Sequence, residues 1–517
     1  MKSNSRDVFW TIFVSAWLSM AGFVLVMVTT GAYGLGVTPD TVNYLHAARS
    51  FSVGEGFLGF SKMGEAIPLT HFPLLFPAVL SLGNYLGLDT LEWARVLMAF
   101  LFGVNIFLLS MIGFYTTGNR RGALLAGGLA LIFVHIVEVH LMALSEPMFL
   151  TIILLFLGTL MRYLEKGNIR ELILAGFLAG TAIVTRYSGV ALLLTGVVVV
   201  MANSFKSGKE KWRDVFFFFM LAIIFPVLWF CRNVNVSGHL LAYPLGLSRH
   251  VFVSLGNGVN TLSEYLMPDT MPFAVRLVIL GAFLTFSGVL AYKVISTASV
   301  DDKRSRAWLG LKVMGIFFVV YTLVAFLAIM FVDRGAVELD KRILIPLAVV
   351  SVGLVPVLMP RAVSEKKTTR TLRARMVFLI IFMVLMFLRT TQLVKNFRHD
   401  GFGYNGREWT QSSFVKTVKT LSDQGIVYSN DPEAFYFLTQ RPSVLIPQEG
   451  RVVSYFSHPE EAARAFVEKK GLVVIFEEKY FRPDPLWWKF SQSASLVPLL
   501  RDGWGVIYGS PSLKHAK

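Results

Sequence analysis

The chain of 517 residues is 54% hydrophobic and only 16% charged, with a mean hydropathy of +0.59, which excludes an ordinary water-soluble domain. Its net charge of +16, from 49 Lys and Arg against 33 Asp and Glu, calls for nucleic acid, anionic lipid or membrane topology as the cause. A single cysteine, Cys231, excludes an internal disulfide framework and a cysteine-rich metal site.

A spanning helix needs about 20 mostly apolar residues, and about eleven segments qualify. In chain order they are 8–30, 91–115, 122–139, 142–161, 171–185, 188–203, 215–231, 272–292, 309–331, 343–360 and 376–391. The first has a basic flank but a long apolar core and no clear cleavage site, so a retained anchor is expected. Alternate connections are basic: Arg120-Arg121, then Lys206, Lys209, Lys211 and Arg213, then Lys303, Arg304 and Arg306, then Lys366, Lys367, Arg370, Arg373 and Arg375. The positive-inside bias puts these, with Lys2 and Arg6, in the cytoplasm. The charge is therefore topological, nucleic acid is not an expected partner, and the chain beyond residue 392 lies outside.

Two domains are expected, a transmembrane domain over 1–392 and an outward-facing α/β domain over 393–517. Within the first, residues 31–90 form a long outward loop with interfacial helices. Thr38 can cap a helix there, Pro39 suits its first position, and Asp40 faces the positive end of its dipole. Gly54-Glu55-Gly56 breaks that helix, and the apolar run 73–86 is short enough to predict a re-entrant or interfacial helix. In the tail, strand-like runs at 425–430, 443–446, 471–476 and 504–508 alternate with helical stretches at 431–439 and 459–469.

Several polar groups stand where apolar surroundings make them costly. Asp40 lies one turn before Tyr44, and it serves either as a first-turn acid, contributing roughly 0.3–1 kcal/mol, or as a general base. Ser145-Glu146-Pro147 opens the fourth span, with Ser145 expected to cap it. His135, Glu138 and His140 end the third span, and with Glu146 they are candidate ligands for a divalent cation. Cations recur at the outward ends: Arg186 before Tyr187, Arg232 before Asn233, Arg249, and Lys341-Arg342. With His71 they suggest a site for an anionic lipid headgroup, because a guanidinium engages phosphate in a bidentate way. No GxxxxGK[ST] loop is present, which argues against nucleotide hydrolysis, and there is no GxSxG elbow.

Pro39-Asp40-x-x-x-Tyr44, Thr70-His71-Phe72-Pro73, Ser145-Glu146-Pro147, Trp229-x-x-Arg232-Asn233 and Arg342-Ile343-Leu344-Ile345-Pro346, in that order, resemble the GT-C superfamily of integral membrane glycosyltransferases. The likeness is to prokaryotic members of the protein O-mannosyltransferase and aminoarabinose transferase type, over about residues 8–360. It implies inverting transfer of a sugar from a polyprenyl phosphate or diphosphate carrier to an acceptor hydroxyl on a protein, lipid or glycan, at the outer face of a cell membrane. Carried over, Asp40 is the base and Glu146 the second acid, with Tyr44 and Tyr187 lining the substrate and His71, Arg186, Arg232 and Arg342 meeting the carrier phosphate. His71 and Phe72 stand where relatives often carry a lysine and a proline. A flippase for a lipid-linked precursor and a non-catalytic subunit of the same fold are the competing readings.

Overall fold

The computed structural model describes residues 5–510 except 61–64, 204–205, 242–245, 249, 297–304, 333–338, 362–368, 422–424 and 448–458. Arg249, Lys303, Arg304, Lys366 and Lys367 thus lie outside the described residues. Every segment expected to span falls on a helix. Among the described residues eight helices are long and apolar enough to cross a membrane, or nine if the bent pair Arg120–Ile132 and Val134–His140 is one span. The sequence count was higher because it included Ile169–Ile183 and Val190–Met201, of 15 and 12 residues. At 1.5 Å per residue these fall short of the roughly 30 Å hydrocarbon core.

The chain forms two compact units. One comprises residues 1–31, 70–76 and 94–397, the other residues 32–69, 77–93 and 398–517. Most of residues 31–90, expected to form the first outward loop, therefore groups with the tail, which differs from the division at residue 392 read from the sequence.

In the helical unit, close approach is set by small residues. A Cβ on Gly176 would lie 2.7 Å from the Phe218 carbonyl oxygen, and one on Gly180 2.8 Å from that of Ala222. The two glycines, one turn apart, let the helix Ile169–Ile183 rest on the backbone of Gly208–Ser237. The pair ending at His140 bends by 63° at Phe133. The Thr390 hydroxyl donates to the carbonyl of Ile132 at 2.7 Å beside the break, so that a backbone acceptor there keeps a partner within the apolar layer.

In the other unit the helix Pro39–Ser52 starts as its sequence predicts. Thr38 and Thr41 form a reciprocal cap, Pro39 occupies the first turn, and glycines 54 and 56 follow at positive φ. The short helix expected over 73–86 is Leu75–Tyr85, of which residues 77–85 belong to this unit. A hairpin of β1 (Leu58–Phe60) and β2 (Ala66–Pro68) lies between them in the chain. The tail sheet comprises β3 (Val427–Ser429), β4 (Val444–Leu445), β5 (Leu472–Phe476), β6 (Val497–Arg501) and β7 (Gly505–Gly509), in spatial order β4-β3-β5-β7-β6. Strand β3 is parallel to β4 and β5, while β7 is antiparallel to β5 and β6. All five residues of β5 are buried, because helices cover both faces of the sheet. Val474 and Phe476 pack with Phe414 and Phe435 on one side, and Val473 and Ile475 with Phe466 and Phe490 on the other. The first loop joins this unit through Val37, whose carbonyl accepts from Tyr404 N at 3.0 Å and whose N–H donates to the Phe402 oxygen at 3.3 Å. Strand β6 and the helix Pro485–Ser493 were not anticipated from sequence.

Candidate active site

Glu146 is the first residue of the helix Glu146–Lys166 and is 1% exposed. A buried carboxylate survives only when compensated, since leaving water costs a lone charge several kcal/mol. Two arginines converge on its Oε1: Arg342 Nε donates at 2.6 Å, and Arg186 Nη1 lies at 2.9 Å. Arg186 also donates to Ser145 Oγ at 3.0 Å, and Ser145 makes no side-chain capping bond. The expected helix cap is thus a ligand of Arg186 instead. Glu146 Oε2 is buried and has no hydrogen-bond partner among the described residues.

Each arginine is placed by its helix ends. Arg186 follows Ile169–Ile183 and precedes the short turn Tyr187–Gly189, while Arg342 is the second residue of Lys341–Arg361. That last helix start is held by Asp340, whose Oδ1 accepts from Ile343 N at 2.9 Å, and by Tyr321, whose hydroxyl donates to the Ile343 carbonyl at 2.8 Å. Burial pushes the Asp340 carboxyl above its ordinary range, and the charges of Arg342, Glu146 and Arg186 all act on it.

A second cluster adjoins Arg186 in the chain. The Tyr187 hydroxyl donates to the Thr70 carbonyl at 3.0 Å and accepts from Trp229 Nε1 at 3.2 Å. Arg232 lies over the Trp229 ring at 5.1 Å and donates to Asn233 Oδ1 at 3.2 Å. His71, next to Thr70, sets its ring edge against Phe72 with centroids 4.3 Å apart. Leu75 N donates to the Val184 carbonyl at 2.9 Å and ties this segment beside Arg186. Glu146, Arg186 and Arg342 are therefore one constellation, with Tyr187, Arg232 and the His71 segment linked to it.

The proposed metal ligands do not converge. His135 Nδ1 meets Glu138 Oε2 at 3.0 Å and its Nε2 faces the Glu264 carbonyl at 3.1 Å. Both nitrogens of His140 are taken as well, by Asn105 Nδ2 at 3.0 Å and the Ile136 carbonyl at 2.6 Å. No group of three or more His, Cys, Asp or Glu able to hold a metal occurs among the described residues. Asp40 and Tyr44 lie in the other unit, on the helix Pro39–Ser52, with Asp40 partly exposed and Tyr44 buried.

Sequence reading missed three supports of the constellation: Ser145 as an arginine ligand, Asp340, and Asn105, which also donates to the Pro147 carbonyl at 3.1 Å. Asn105 carried a signal as an amide inside the apolar helix Thr90–Thr117, and Asp340 as a charge just before the apolar helix Lys341–Arg361.

Residues 71–230 match the family model described as dolichyl-phosphate-mannose-protein mannosyltransferase. No curated protein matches the chain. Among solved structures, ArnT from Cupriavidus metallidurans bound to undecaprenyl phosphate is similar at a TM-score of 0.62 and 14% identity, over 96% of this chain and 97% of that one. The apo form of the same protein matches at 0.61 and 15%, over 98% and 99%. The arabinofuranosyltransferase AftD from Mycobacteria matches at 0.55 and 14%, over 96% of this chain but 40% of AftD.

Proposed function

From a multi-pass chain with the fold of the GT-C membrane glycosyltransferases, we infer a transferase that takes a hexose or pentose from a polyprenyl-phosphate carrier and delivers it to an acceptor hydroxyl. The observation that carries this reading is the convergence of Arg186 and Arg342 on buried Glu146, within a fold shared with a protein solved bound to undecaprenyl phosphate. Guanidinium groups fixed by a buried carboxylate are preorganised, and such fixed charge stabilises a leaving phosphate without reorganisation during the reaction.

The step balances with no added cofactor. The acceptor oxygen attacks the anomeric carbon, the bond from that carbon to the carrier phosphate breaks, and its electron pair leaves with the phosphate. The acceptor proton passes to a carboxylate, assigned by the family resemblance to Asp40. One displacement inverts the anomeric configuration. Arg186 and Arg342, aided by Arg232 and His71, would compensate the phosphate, and Tyr44 and Tyr187 would line the substrates. The acceptor hydroxyl belongs to a protein, lipid or glycan; the basic connections favour a cytoplasmic N-terminus and an outward site, and the resemblance to prokaryotic members implies an inner membrane.

The test is purified full-length protein in detergent, supplied with radiolabelled polyprenyl-phosphate sugars and an envelope extract as acceptor. Labelled product from wild type, and its loss in Arg342→Gln protein, are expected. Carrier movement across vesicles without any glycosidic product would instead establish a flippase. Mass spectrometry of envelope glycans after deletion of the chain would then name sugar and acceptor together.

A further inference from the structure

A second polar site lies at the opposite end of the helical unit. Glu146 opens a 21-residue helix and Lys166 closes it, which separates the two ends by about 30 Å. Around Lys166 is a cavity of about 330 Å³, lined by Leu164, Glu165, Lys166, Asn203, Lys206 and Leu309. Its apolar wall is Leu164 and Leu309, 9% and 4% exposed.

The polar wall is built rather than accidental. Lys206 Nζ sits 2.5 Å from Oδ2 of Asp214, and the Tyr163 hydroxyl donates to the same oxygen at 2.6 Å. Asp214 is fully buried and also holds Arg213 at 3.1 Å, so the ammonium of Lys206 is fixed in place. Glu165 is engaged by Arg306 at 2.7 Å and by the Tyr115 hydroxyl at 2.8 Å. Lys312 donates to the Ala202 carbonyl at 2.6 Å. With Lys209 and Lys211 in the first turn of the next helix, the cations here outnumber Glu165, Glu210 and Asp214.

The depth of the site identifies its ligand. On the helix that begins just after Lys206, Trp212 is 66% exposed and is followed by Phe216 and Phe217 at 57% and 45%. An exposed Trp between lysines and outward Phe side chains marks a headgroup boundary. Lys206 lies six residues before that Trp, just ahead of the helix start at Gly208, and so on the side of Trp212 away from the apolar residues of the span.

We propose that this cavity binds the phosphate of an anionic phospholipid, with Lys166 and Lys206 on the phosphate. Basic pockets between spanning helices select anionic headgroups by this arrangement. A soluble phosphate would satisfy the lysines equally; what favours a lipid is the exposed Trp212, Phe216 and Phe217 beside the cavity. The site is independent of the transfer reaction and of which membrane face carries it.

Native mass spectrometry of the full chain in neutral detergent tests it, with phosphatidylglycerol, phosphatidylcholine and inorganic phosphate as probes. Wild type is expected to retain phosphatidylglycerol over phosphatidylcholine, and Lys166→Gln to reduce that preference roughly fivefold, the ratio that about 1 kcal/mol per basic residue implies. Lys166→Arg should restore it, and Arg342→Gln, at the other end, should leave it intact. Exposed Lys166 can be changed without uncovering Asp214, and equal melting temperatures in phosphatidylcholine would verify this. Equal retention of both lipids by wild type, or an unchanged preference in Lys166→Gln, would overturn the site. Displacement of phosphatidylglycerol by millimolar inorganic phosphate would overturn the lipid assignment in favour of a soluble anion.

Discussion

Arg342 reaches across 196 residues of sequence to place its Nε 2.6 Å from Oε1 of Glu146. The pair is buried on the carboxylate side and 27% exposed on the arginine side, so the carboxylate holds the guanidinium while one face of it stays accessible. Removing one member of a buried ion pair typically costs about 3–5 kcal/mol because the other is left uncompensated. Glu146→Ala should therefore lower the melting temperature markedly as well as abolish transfer. Glu146→Gln keeps the shape but releases both arginines, and is expected to fold with a smaller thermal loss and at least about 100-fold lower turnover, the scale of a lost electrostatic contact in a site. Turnover within a factor of two of wild type would remove Glu146 from the mechanism.

Asp40 permits a separation of cap from base. The helix start is already closed by the reciprocal Thr38 and Thr41 contacts, Thr41 N donating to Thr38 Oγ1 at 3.3 Å and Thr38 N to Thr41 Oγ1 at 3.2 Å. Asp40→Asn should thus cost no more than the roughly 0.3–1 kcal/mol of a first-turn acid. As a base it should cost about 100- to 10,000-fold in transfer rate. Thr38→Ala is the reverse case, with a stability loss near 1 kcal/mol and a smaller effect on rate. Equal rate losses in both variants would return Asp40 to a helix-start role.

Legibility of the sequence followed the physics of each feature. Glu146, Arg186 and Arg342 stood out because charges at the ends of apolar runs need compensation, and the structure brings them to one oxygen. The bend at Phe133 had no such mark, since neither Pro nor Gly sits at it and its free carbonyl is satisfied by Thr390, 258 residues away. Ser145 was misread for a related reason: its place before Glu-Pro fits a cap, and only the fold reveals Arg186 as its donor. The first loop groups with the tail through contacts such as Val37 with Gly403, where a Cβ would run into the Val37 carbonyl, and His46 with Tyr436, and no local pattern encodes contacts at that separation. Strand β6 escaped because Pro498 interrupts it and its side chains are mostly exposed, which erases the alternation that marks a strand.

His46 gives a pH dependence. Its Nδ1 lies 2.9 Å from the Tyr436 hydroxyl, and its ring stacks on Phe60 at 4.1 Å. Burial, with a smaller contribution from the charge of Arg49, lowers the imidazole from 6.5 to about 4. The folded unit therefore prefers the neutral ring, and between pH 6.5 and about 4 the unfolded chain carries more protons. Stability is complete above pH 6.5 and falls as the pH drops through that window. Thermal melting of wild type at pH 7.5 and 5.0 should show the loss, and His46→Gln should reduce the difference between the two. An identical pH difference in both proteins would assign the effect to other groups.

Gly176 and Gly180 test how the arginine-bearing end of Ile169–Ile183 is held. Gly176→Leu places atoms where the Phe218 carbonyl oxygen already lies 2.7 Å from a Cβ, so the helices must part before Arg186 can keep its place on Glu146. Overpacking of this kind costs about 1–3 kcal/mol. Gly128, on Arg120–Ile132, has nothing within 4 Å of its Cβ position, and Gly128→Ala should be neutral or slightly stabilising because Ala is the better helix former by about 1 kcal/mol. Melting temperature would rank Gly128→Ala at or above wild type and Gly176→Leu below it. Loss of carrier binding in Gly176→Leu at a temperature where the protein remains folded would place the helix contact upstream of Arg186, whereas unchanged binding would show that Glu146 and Ser145 alone suffice to hold that guanidinium.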